Sequence, residues 1–325
     1  MNTLAAYITA LGPAERIEVG QLPVPALGPT DVLVRTEALA VDQVDTLVRS
    51  GAYRTPTPFP FIIGRDMVGT VAAAGPGAVG FAEGDRVWCN SLGHGGRQGS
   101  FAQHVVVAAE RLYHLPAGID PAQAVAVLHT AGTASLGLFR RARLGPGDTV
   151  IVGGGAGGVG SAVVQLAAAS GARVIATAAG ADAGWCRASG AQQVFDYHDP
   201  DLLAKLGEAA PGGADIYWDT SGHQDLKAIA MLLAVGARII ITAAPDPAII
   251  LPAQNYYTHD ISVRCFAISN AAASDLAAIA RIINSRLADN TLRPRIGARM
   301  PLAAAAEAHR RQEAGHVNGR IIVLP

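Results

Sequence analysis

The sequence predicts an α/β protein of two domains, one rich in short strands and one built on a doubly wound parallel sheet. A length of 325 residues is enough for about two domains of ordinary size. Up to about residue 115, short strand-like runs alternate with Gly- and Pro-rich connections, and from Asp148 onward continuous apolar strands alternate with helices. The second pattern is typical of a parallel sheet that is covered by helices on both faces.

In the first region, Val32–Arg35, Gly69–Ala72 and Phe101–Val107 have the composition of strands. The texture changes near Asp120, which is a suitable N-cap residue for a helix with Pro121 at its first position. These signals predict that strands and turns give way to a helix at this point of the chain.

In the second region, strands and helices follow one another as expected for a parallel sheet. The predicted strands are Thr149–Val152, Arg173–Thr177, Gln193–Phe195, Ile216–Trp218 and Arg238–Ile241, and the predicted helices are Ser161–Ser170 and Leu276–Leu287. A last strand, Gly319–Leu324, is expected to return to the first domain. The predicted domains are therefore residues 1–121 with 290–325, and residues 122–289.

Composition excludes several classes of protein. Half of the residues are hydrophobic and 16% are charged, which excludes a disordered chain, and a net charge of −1 argues against a nucleic-acid partner. The apolar stretches are too short to cross a bilayer, and the N-terminus lacks the pattern of a secretory signal. The three cysteines form no CxxC pair. We therefore expect a cytoplasmic protein without a membrane or nucleic-acid partner.

A glycine motif after the first strand of the second region predicts a dinucleotide site. The run fits GxGxxG and contains Gly155, Gly157, Gly158, Val159 and Gly160. Glycines permit a tight turn and close approach of the backbone to a pyrophosphate, and the following helix N-terminus attracts the anion. The strand before the motif, the helix after it and the next strand make the signal specific.

The end of the second strand indicates which cofactor binds, because an acidic residue there accepts the ribose hydroxyls of NAD. Thr177 is followed by alanines and glycine, and Asp182 is the next carboxylate. The sequence therefore favours NADP(H), with Thr177 at the cofactor. The candidates to bind the 2′-phosphate are Arg187, Tyr197 and Arg320. Alternatively, Arg187 is only a solvated helix charge.

Five blocks resemble the medium-chain dehydrogenase/reductases, especially their quinone oxidoreductase (zeta-crystallin-like) branch. They are Val41–Gly51, Gly64–Gly69, Gly84–Val87, Gly99–Ala102 and Ala156–Gly160, in that order along the chain. The resemblance implies a GroES-like, β-rich catalytic domain, a Rossmann domain that binds the dinucleotide, and an active site in the cleft between them. It also implies a homodimer.

Zinc-dependent alcohol dehydrogenases belong to the same superfamily, and their metal ligands match Asp42, Arg65 and His129 of this chain. A guanidinium group does not ligate Zn²⁺ and repels it, so the resemblance implies a zinc-free enzyme. We expect Asp42 and Arg65 to form an ion pair at the position of the metal. Alternatively, Arg65 faces the cleft and binds an acidic group of the substrate.

The same resemblance implies the catalytic groups. Tyr53 stands where relatives carry an active-site tyrosine that can donate to a carbonyl oxygen, although a second family tyrosine is replaced by Leu47. Thr133 matches a threonine that lies beside the nicotinamide ring in relatives. His129 is an acid or relay in one interpretation and a hydrogen-bonded core residue in the other.

The glycine-rich loop from Asn90 to Ser100 carries His94 and Arg97. It either lines the substrate cleft, as a wall or a lid, or is an ordinary surface loop.

Taken together, the residues and the resemblance predict a zinc-independent, NADPH-dependent reductase of quinones or of activated C=C bonds in enones. Tyr53, Asp42, Arg65 and His129 are the predicted catalytic residues. Two alternatives stay open: an alcohol or aldehyde dehydrogenase of the same superfamily, and a nucleotide-binding structural or sensory protein whose active site has lapsed.

Overall fold

The computed structural model describes residues 1–222, 225–243, 249–315 and 317–325. The chain divides into two compact units, residues 1–132 with 272–325, and residues 133–271. This division differs from the predicted domains, because the helices up to Gly132 and the long helix after Ala272 pack with the first unit. None of the described helices is long and apolar enough to span a membrane.

The first unit begins with eight strands, which form two sheets. Their bounds are β1 (Asn2–Ile8), β2 (Glu18–Pro23), β3 (Asp31–Val41), β4 (Phe61–Ile62), β5 (Asp66–Ala74), β6 (Arg86–Cys89), β7 (His104–Ala108) and β8 (Tyr113–His114). The first sheet has the order β2-β1-β4, and β3 lies at the centre of the second, where β5 and β7 both pair with it antiparallel. The predicted strands Val32–Arg35 and Gly69–Ala72 are confirmed within β3 and β5. The predicted strand Phe101–Val107 corresponds to β7, which begins later, at His104.

Three helices accompany these strands: α1 (Gln43–Ser50), α2 (Pro121–Val125) and α3 (Leu128–Ser135). The predicted cap of α2 is confirmed, because the Asp120 carboxylate accepts a hydrogen bond from the Gln123 N–H at 2.9 Å and Pro121 is the first helical residue. Helix α1 follows β3 directly, so its first residues lie at the end of the central strand. This position matters for the site described below.

The second unit is a six-stranded parallel sheet with helices between the strands. Its elements are β9 (Thr149–Gly153), α4 (Gly158–Ala169), β10 (Arg173–Ala178), α5 (Ala183–Ala188), β11 (Gln193–Asp196), α6 (Leu202–Ala209), β12 (Ala214–Asp219), β13 (Leu233–Ile241), α7 (Ala253–Thr258) and β14 (Ser262–Cys265). The strand order β11-β10-β9-β12-β13-β14 is the doubly wound order of a dinucleotide-binding fold. Each predicted strand of this region is confirmed, and α4 begins three residues earlier than predicted.

The last segment returns to the first unit with α8 (Ala273–Ala288), β15 (Ile296–Pro301), α9 (Ala305–Ala314) and β16 (Arg320–Leu324). Strand β16 pairs antiparallel with β3, from Ile321 opposite Val41 to Val323 opposite Leu39. The predicted return of the chain end is therefore confirmed. This pairing also places Arg320, the first residue of β16, near the junction of β3 and α1.

Candidate active site

The glycine motif forms the turn between β9 and α4 that the sequence predicted. The N–H of Gly155 donates to the Thr177 carbonyl oxygen at 2.8 Å, which ties the turn to the end of β10. A Cβ atom at Gly160 would overlap the Gly154 carbonyl oxygen, and one at Gly155 would lie 2.8 Å from the Ala176 Cβ. The backbone is thus packed too closely for side chains at these two positions.

This turn fits a pyrophosphate. Gly157 caps α4, and Gly158 and Val159 open the helix, where the first amides have no acceptor within a helix. Their N–H groups and the positive end of the helix dipole suit an anion. The residues present therefore fit the dinucleotide that the motif predicts. Thr177 serves the turn itself, because its hydroxyl accepts a hydrogen bond from the Gly154 N–H at 3.3 Å.

A carboxylate that the sequence analysis missed lies beside the end of β10. Asp196, the last residue of the neighbouring strand β11, pairs with Ala178, and its Oδ2 accepts a hydrogen bond from the Gly180 N–H at 3.0 Å. Its Oδ1 accepts from the N–H of His198 at 2.9 Å. These hydrogen bonds, first of all the one from the His198 backbone, hold the pKa of Asp196 below its ordinary value. The search for an acidic residue at the end of β10 considers that strand alone, so it does not detect a carboxylate on the neighbouring strand β11.

The predicted phosphate-binding residues have different surroundings. Arg187 is exposed on the last turn of α5, and Tyr197 is about half exposed, with its ring tilted against that of His198 and the ring centres 4.2 Å apart. The Arg320 guanidinium instead forms a largely buried ion pair with Asp42 in the first unit. Its assignment to the 2′-phosphate is therefore corrected: Arg320 is held by a buried carboxylate, which satisfies its charge.

Six charged or titratable side chains lie together around the junction of β3 and α1, and we call them the buried polar cluster. They are Asp42, Asp45, Arg65, Asp66, His129 and Arg320. Asp42 caps α1, and its own N–H donates to Asp45 Oδ2 at 2.9 Å. Arg65 Nε lies 3.9 Å from Asp45 Oδ1, and the N–H of His129 donates to Asp66 Oδ2 at 2.8 Å.

The expected ion pair of Asp42 with Arg65 gives way to a larger network. Asp42 forms an ion pair with Arg320, and Arg65 Nε lies 3.9 Å from the Asp45 carboxyl group. Asp42 and Arg65 are both buried at the one place where the sequence predicts them. Asp45 and Asp66 are further members that the motif matching does not identify, although both follow the matched positions closely in the chain.

The protonation states of the cluster follow from burial and from neighbouring charges. Burial, followed by the charge of Asp42, raises the pKa of Asp45 to about 8 and that of Asp66 well above its ordinary value. Burial by itself would raise the pKa of Asp42. The Arg320 guanidinium and other nearby charges outweigh the effect of burial, so the pKa of Asp42 is lowered. Burial lowers the pKa of His129 to about 4. At neutral pH, Asp42 is ionised and His129 is neutral, whereas Asp66 keeps its proton to a higher pH than an ordinary aspartic acid does.

Three of these residues have the spacing of metal ligands, since one atom each of Asp42, Asp66 and His129 lies within 4.8 Å of the others. Their charge state does not fit zinc. Arg320 is already paired with Asp42, Arg65 adds a second guanidinium, and a divalent cation would have to displace the first and lie beside the positive charge of the second. The buried polar cluster therefore does not fit a divalent metal ion.

Tyr53 lies next to the cluster. The centre of its ring is 5.9 Å from Arg65 Cζ and 5.8 Å from the centre of the His94 ring, which approaches edge-on. Thr133 is buried on α3, four residues after His129 on the same helix, as predicted. The structure thus brings Tyr53, Arg65 and His94 together, while Leu47 is partly exposed on α1.

Comparison with known proteins gives consistent matches over both regions. The family profile of the alcohol dehydrogenase GroES-like domain matches residues 28–117, and that of zinc-binding dehydrogenase matches residues 158–285. A quinone oxidoreductase of Rattus norvegicus is 30% identical over 301 residues, which are 92% of this chain and 89% of the relative.

Solved structures agree with the same fold. A structure described as an NAD-dependent alcohol dehydrogenase has a TM-score of 0.89 and 30% identity and covers all of both chains. A mycobacterial protein solved as a complex with NADPH has a TM-score of 0.86 and 27% identity, over 99% of this chain and 100% of its own. The GroES-like and dinucleotide-binding architecture is thereby confirmed.

Proposed function

Since the chain belongs to the medium-chain dehydrogenase/reductase superfamily, in its quinone oxidoreductase branch, and is an oxidoreductase, we propose that it reduces quinones or activated C=C bonds of enones with NADPH. The observation that carries this proposal is the buried polar cluster, in which two guanidiniums stand among the residues that match zinc ligands. A fixed positive charge beside a tyrosine suits a reduction that places negative charge on an oxygen atom.

In the proposed mechanism, the glycine turn of the second unit binds the cofactor, and the groups around Tyr53 act on the substrate. When bound at the glycine turn, the reduced nicotinamide supplies a hydride. The Tyr53 hydroxyl donates a hydrogen bond to the carbonyl oxygen of the substrate, where negative charge develops. Arg65, with Cζ 5.9 Å from the Tyr53 ring, stabilises this charge through its permanent cation.

The product also needs a proton, and we assign its supply to the cluster. Burial raises the pKa of Asp66 well above its ordinary value, and Asp66 Oδ1 is buried with no hydrogen-bond partner among the described residues. His129 is neutral, and its ring lies within 4.8 Å of the Asp66 carboxyl group. A neutral imidazole can pass a proton from one nitrogen to the other, so we propose His129 as the relay and Asp66 as the store.

NADPH is the proposed cofactor because the end of β10 carries no carboxylate of its own, and because a structural relative was solved with NADPH. The homodimer and the cytoplasmic location remain predictions from the resemblance and from composition. Light scattering on the eluted protein tests the first, and cell fractionation tests the second.

Oxidation of NADPH, followed by absorbance with benzoquinone, an enone and an acyl thioester, tests the reaction. We expect turnover of the quinone or the enone, and Tyr53→Phe should lower kcat by about 100-fold, the usual effect of removing one donor to a developing oxyanion. The matched control is Tyr257→Phe, which removes the hydroxyl of an exposed residue of α7. Absence of turnover with every substrate, although NADPH binds, would instead support a lapsed site.

An alcohol dehydrogenase is the second candidate, since one structural relative carries that description. That reaction would need a metal in the buried polar cluster or another group to polarise the alcohol. We expect the purified protein to contain no stoichiometric zinc and to keep its activity in a chelator. One bound zinc per chain, with alcohol oxidation that the chelator abolishes, would decide for this candidate.

A further inference from the structure

The loop between β6 and β7 has a fixed conformation, and we call Asn90–Ser100 the polar loop. The Gly93 N–H donates to the Gln98 carbonyl oxygen at 3.0 Å, and the Gly95 N–H donates to the Thr55 hydroxyl at 2.8 Å. Gly93, Gly95 and Gly96 all have positive φ angles between 62° and 83°, which glycine adopts without strain. The polar loop is thus a folded turn whose side chains have defined positions.

Arg97 offers unused donors in this loop. Its Nε donates to the Ser91 carbonyl oxygen at 3.2 Å, and its Nη1 lies over Gly95, 3.3 Å from where a Cβ atom would stand. In the part of the chain that the structure describes, neither terminal amino group of Arg97 has a hydrogen-bond acceptor. The guanidinium is therefore anchored at one nitrogen and presents its other two.

Other cations lie close to Arg97. Burial lowers the pKa of Arg97, and the positive charge of Arg111 is the next cause. Burial, followed by the charges of Arg65, Arg97 and Arg111, lowers the pKa of His94 to about 4. Arg111 Nε lies 3.7 Å from the carboxylate of Glu110, but 66% of the Glu110 side chain is exposed, so water weakens that compensation. The polar loop carries an excess of positive charge.

Two buried polar atoms near these cations also lack partners. His94 Nδ1 and the Tyr113 hydroxyl are buried, and neither has a hydrogen-bond partner among residues 1–222, 225–243, 249–315 and 317–325. Buried polar atoms are normally hydrogen-bonded. Unpaired polar atoms of His94 and Tyr113, in the electrostatic range of Arg111, indicate a place where an external anion binds. The edge-on contact of His94 with Tyr53 connects this place to the proposed catalytic tyrosine.

We infer that the polar loop and Arg111 form an anion-binding subsite that selects substrates with a carboxylate or phosphate group apart from the carbon that is reduced. The two free amino groups of Arg97 match the two oxygens of such an anion, and Arg111 and His94 complete the surroundings. As a statement about substrates, this inference rests on the proposed function. As a statement about anion binding, it stands without it.

Paired substrates test the inference. Benzoylacrylate and its methyl ester share the enone and differ in the negative charge. In Arg97→Met, the ratio of the KM for the acid to the KM for the ester should rise about tenfold, which corresponds to about 1.4 kcal/mol. Arg35→Met, which removes an exposed guanidinium on β3, should leave this ratio unchanged. Equal changes for the acid and the ester in Arg97→Met would overturn the subsite.

A binding measurement separates this inference from the proposed function. Benzoate and inorganic phosphate, titrated separately and followed by intrinsic fluorescence, should bind the wild-type protein, and Arg97→Met should weaken the tighter of the two. The tighter ligand shows whether the natural group is a carboxylate or a phosphate. If Arg97→Met does not fold, Arg97→Lys replaces it in this experiment. Arg97→Lys keeps the positive charge and lacks the planar guanidinium, so we expect its affinity for the anion to be intermediate. If neither anion binds, the subsite is refuted even where turnover of quinones is observed.

Discussion

Arg320, the first residue of the last strand, forms a buried ion pair with Asp42, 278 positions earlier in the chain. Removing one partner of a buried pair typically costs about 3–5 kcal/mol, because the other charge is left uncompensated. Arg320→Met and Asp42→Asn should each lower the free energy of unfolding by an amount of this order. The double variant should lose much less than the sum of the two.

Urea unfolding of the two single variants and the double variant measures the coupling energy. Arg299→Met removes an exposed guanidinium of β15 and serves as the control, with an expected change within about 0.5 kcal/mol. Additive losses in the cycle would show that Asp42 and Arg320 do not depend on each other.

His309 on α9 should make the protein sensitive to acid. Its side chain is fully buried, its ring contacts Phe101 edge-on, and neither ring nitrogen has a hydrogen-bond partner within the described residues. Burial, followed by the charge of Arg49, lowers the pKa of His309 to about 3. Below the unfolded pKa of roughly 6.5, the unfolded chain binds a proton that the folded protein refuses, so stability falls as pH falls.

The expected loss from this residue is about 1.4 kcal/mol per pH unit between pH 6.5 and 3. The variant His309→Leu should lack this contribution and should also be more stable near pH 7, because it removes unsatisfied buried nitrogens. Unfolding curves at several pH values measure both effects. Parallel pH profiles for the two proteins would contradict the assignment.

Asp196 should limit the preference for NADPH. Its ionised carboxylate accepts from the Gly180 N–H at the end of β10, where the adenosine ribose of a bound dinucleotide is expected. A negative charge there repels a phosphate on the ribose, so Asp196→Asn should raise the affinity for NADPH relative to NADH by about tenfold, which is about 1.4 kcal/mol. Fluorescence titration with both cofactors measures the ratio.

The control for this experiment is Asp201→Asn, which removes an exposed carboxylate before α6. This variant should leave the cofactor ratio unchanged. If Asp196→Asn leaves the ratio of the NADPH and NADH affinities unchanged, the ribose of the cofactor does not lie at the end of β11.

Gly160→Ala should abolish dinucleotide binding. The added methyl group would overlap the Gly154 carbonyl oxygen, which belongs to the same turn and cannot move without displacing it. We expect a loss of stability of about 1–3 kcal/mol, typical of forced overpacking, together with the loss of NADPH binding. Calorimetry of NADPH binding and thermal unfolding give the two quantities.

Gly184→Ala is the matched control, because a Cβ atom at Gly184 on α5 would meet no atom within 4 Å. It should bind NADPH like the wild-type protein. Normal NADPH binding by Gly160→Ala would mean that the cofactor does not use this turn.

Local patterns were sufficient for much of the fold. The alternation of apolar strands and helices after Asp148, the capped start of α2 and the glycine turn were all predictable, because each depends on neighbours within a few positions. The start of α4 was placed three residues late, since glycines have low helix propensity and the motif itself opens the helix. The boundaries between the two units were harder to predict from local patterns, because they depend on which unit each helix packs against.

The candidate site was predictable in its members and not in their partners. Sequence placed Asp42, Arg65, His129 and Tyr53 together by matching motifs, and the structure brings these residues to the same region. The partner of Asp42 turned out to be Arg320, because β16 returns to pair with β3 and carries its first residue to the end of that strand. No spacing rule within one segment contains that information.

The sequence by itself determined the class of fold, the dinucleotide turn and the positions where zinc enzymes of the superfamily have ligands, because these are properties of short segments. The tertiary structure alone decided where the titratable groups meet: Arg320 with Asp42, Arg65 near Asp45, and Asp196 beside the end of β10, a strand to which it does not belong. The physical reason is that electrostatic energies depend on distance and burial, and both are set by contacts between residues far apart in the chain.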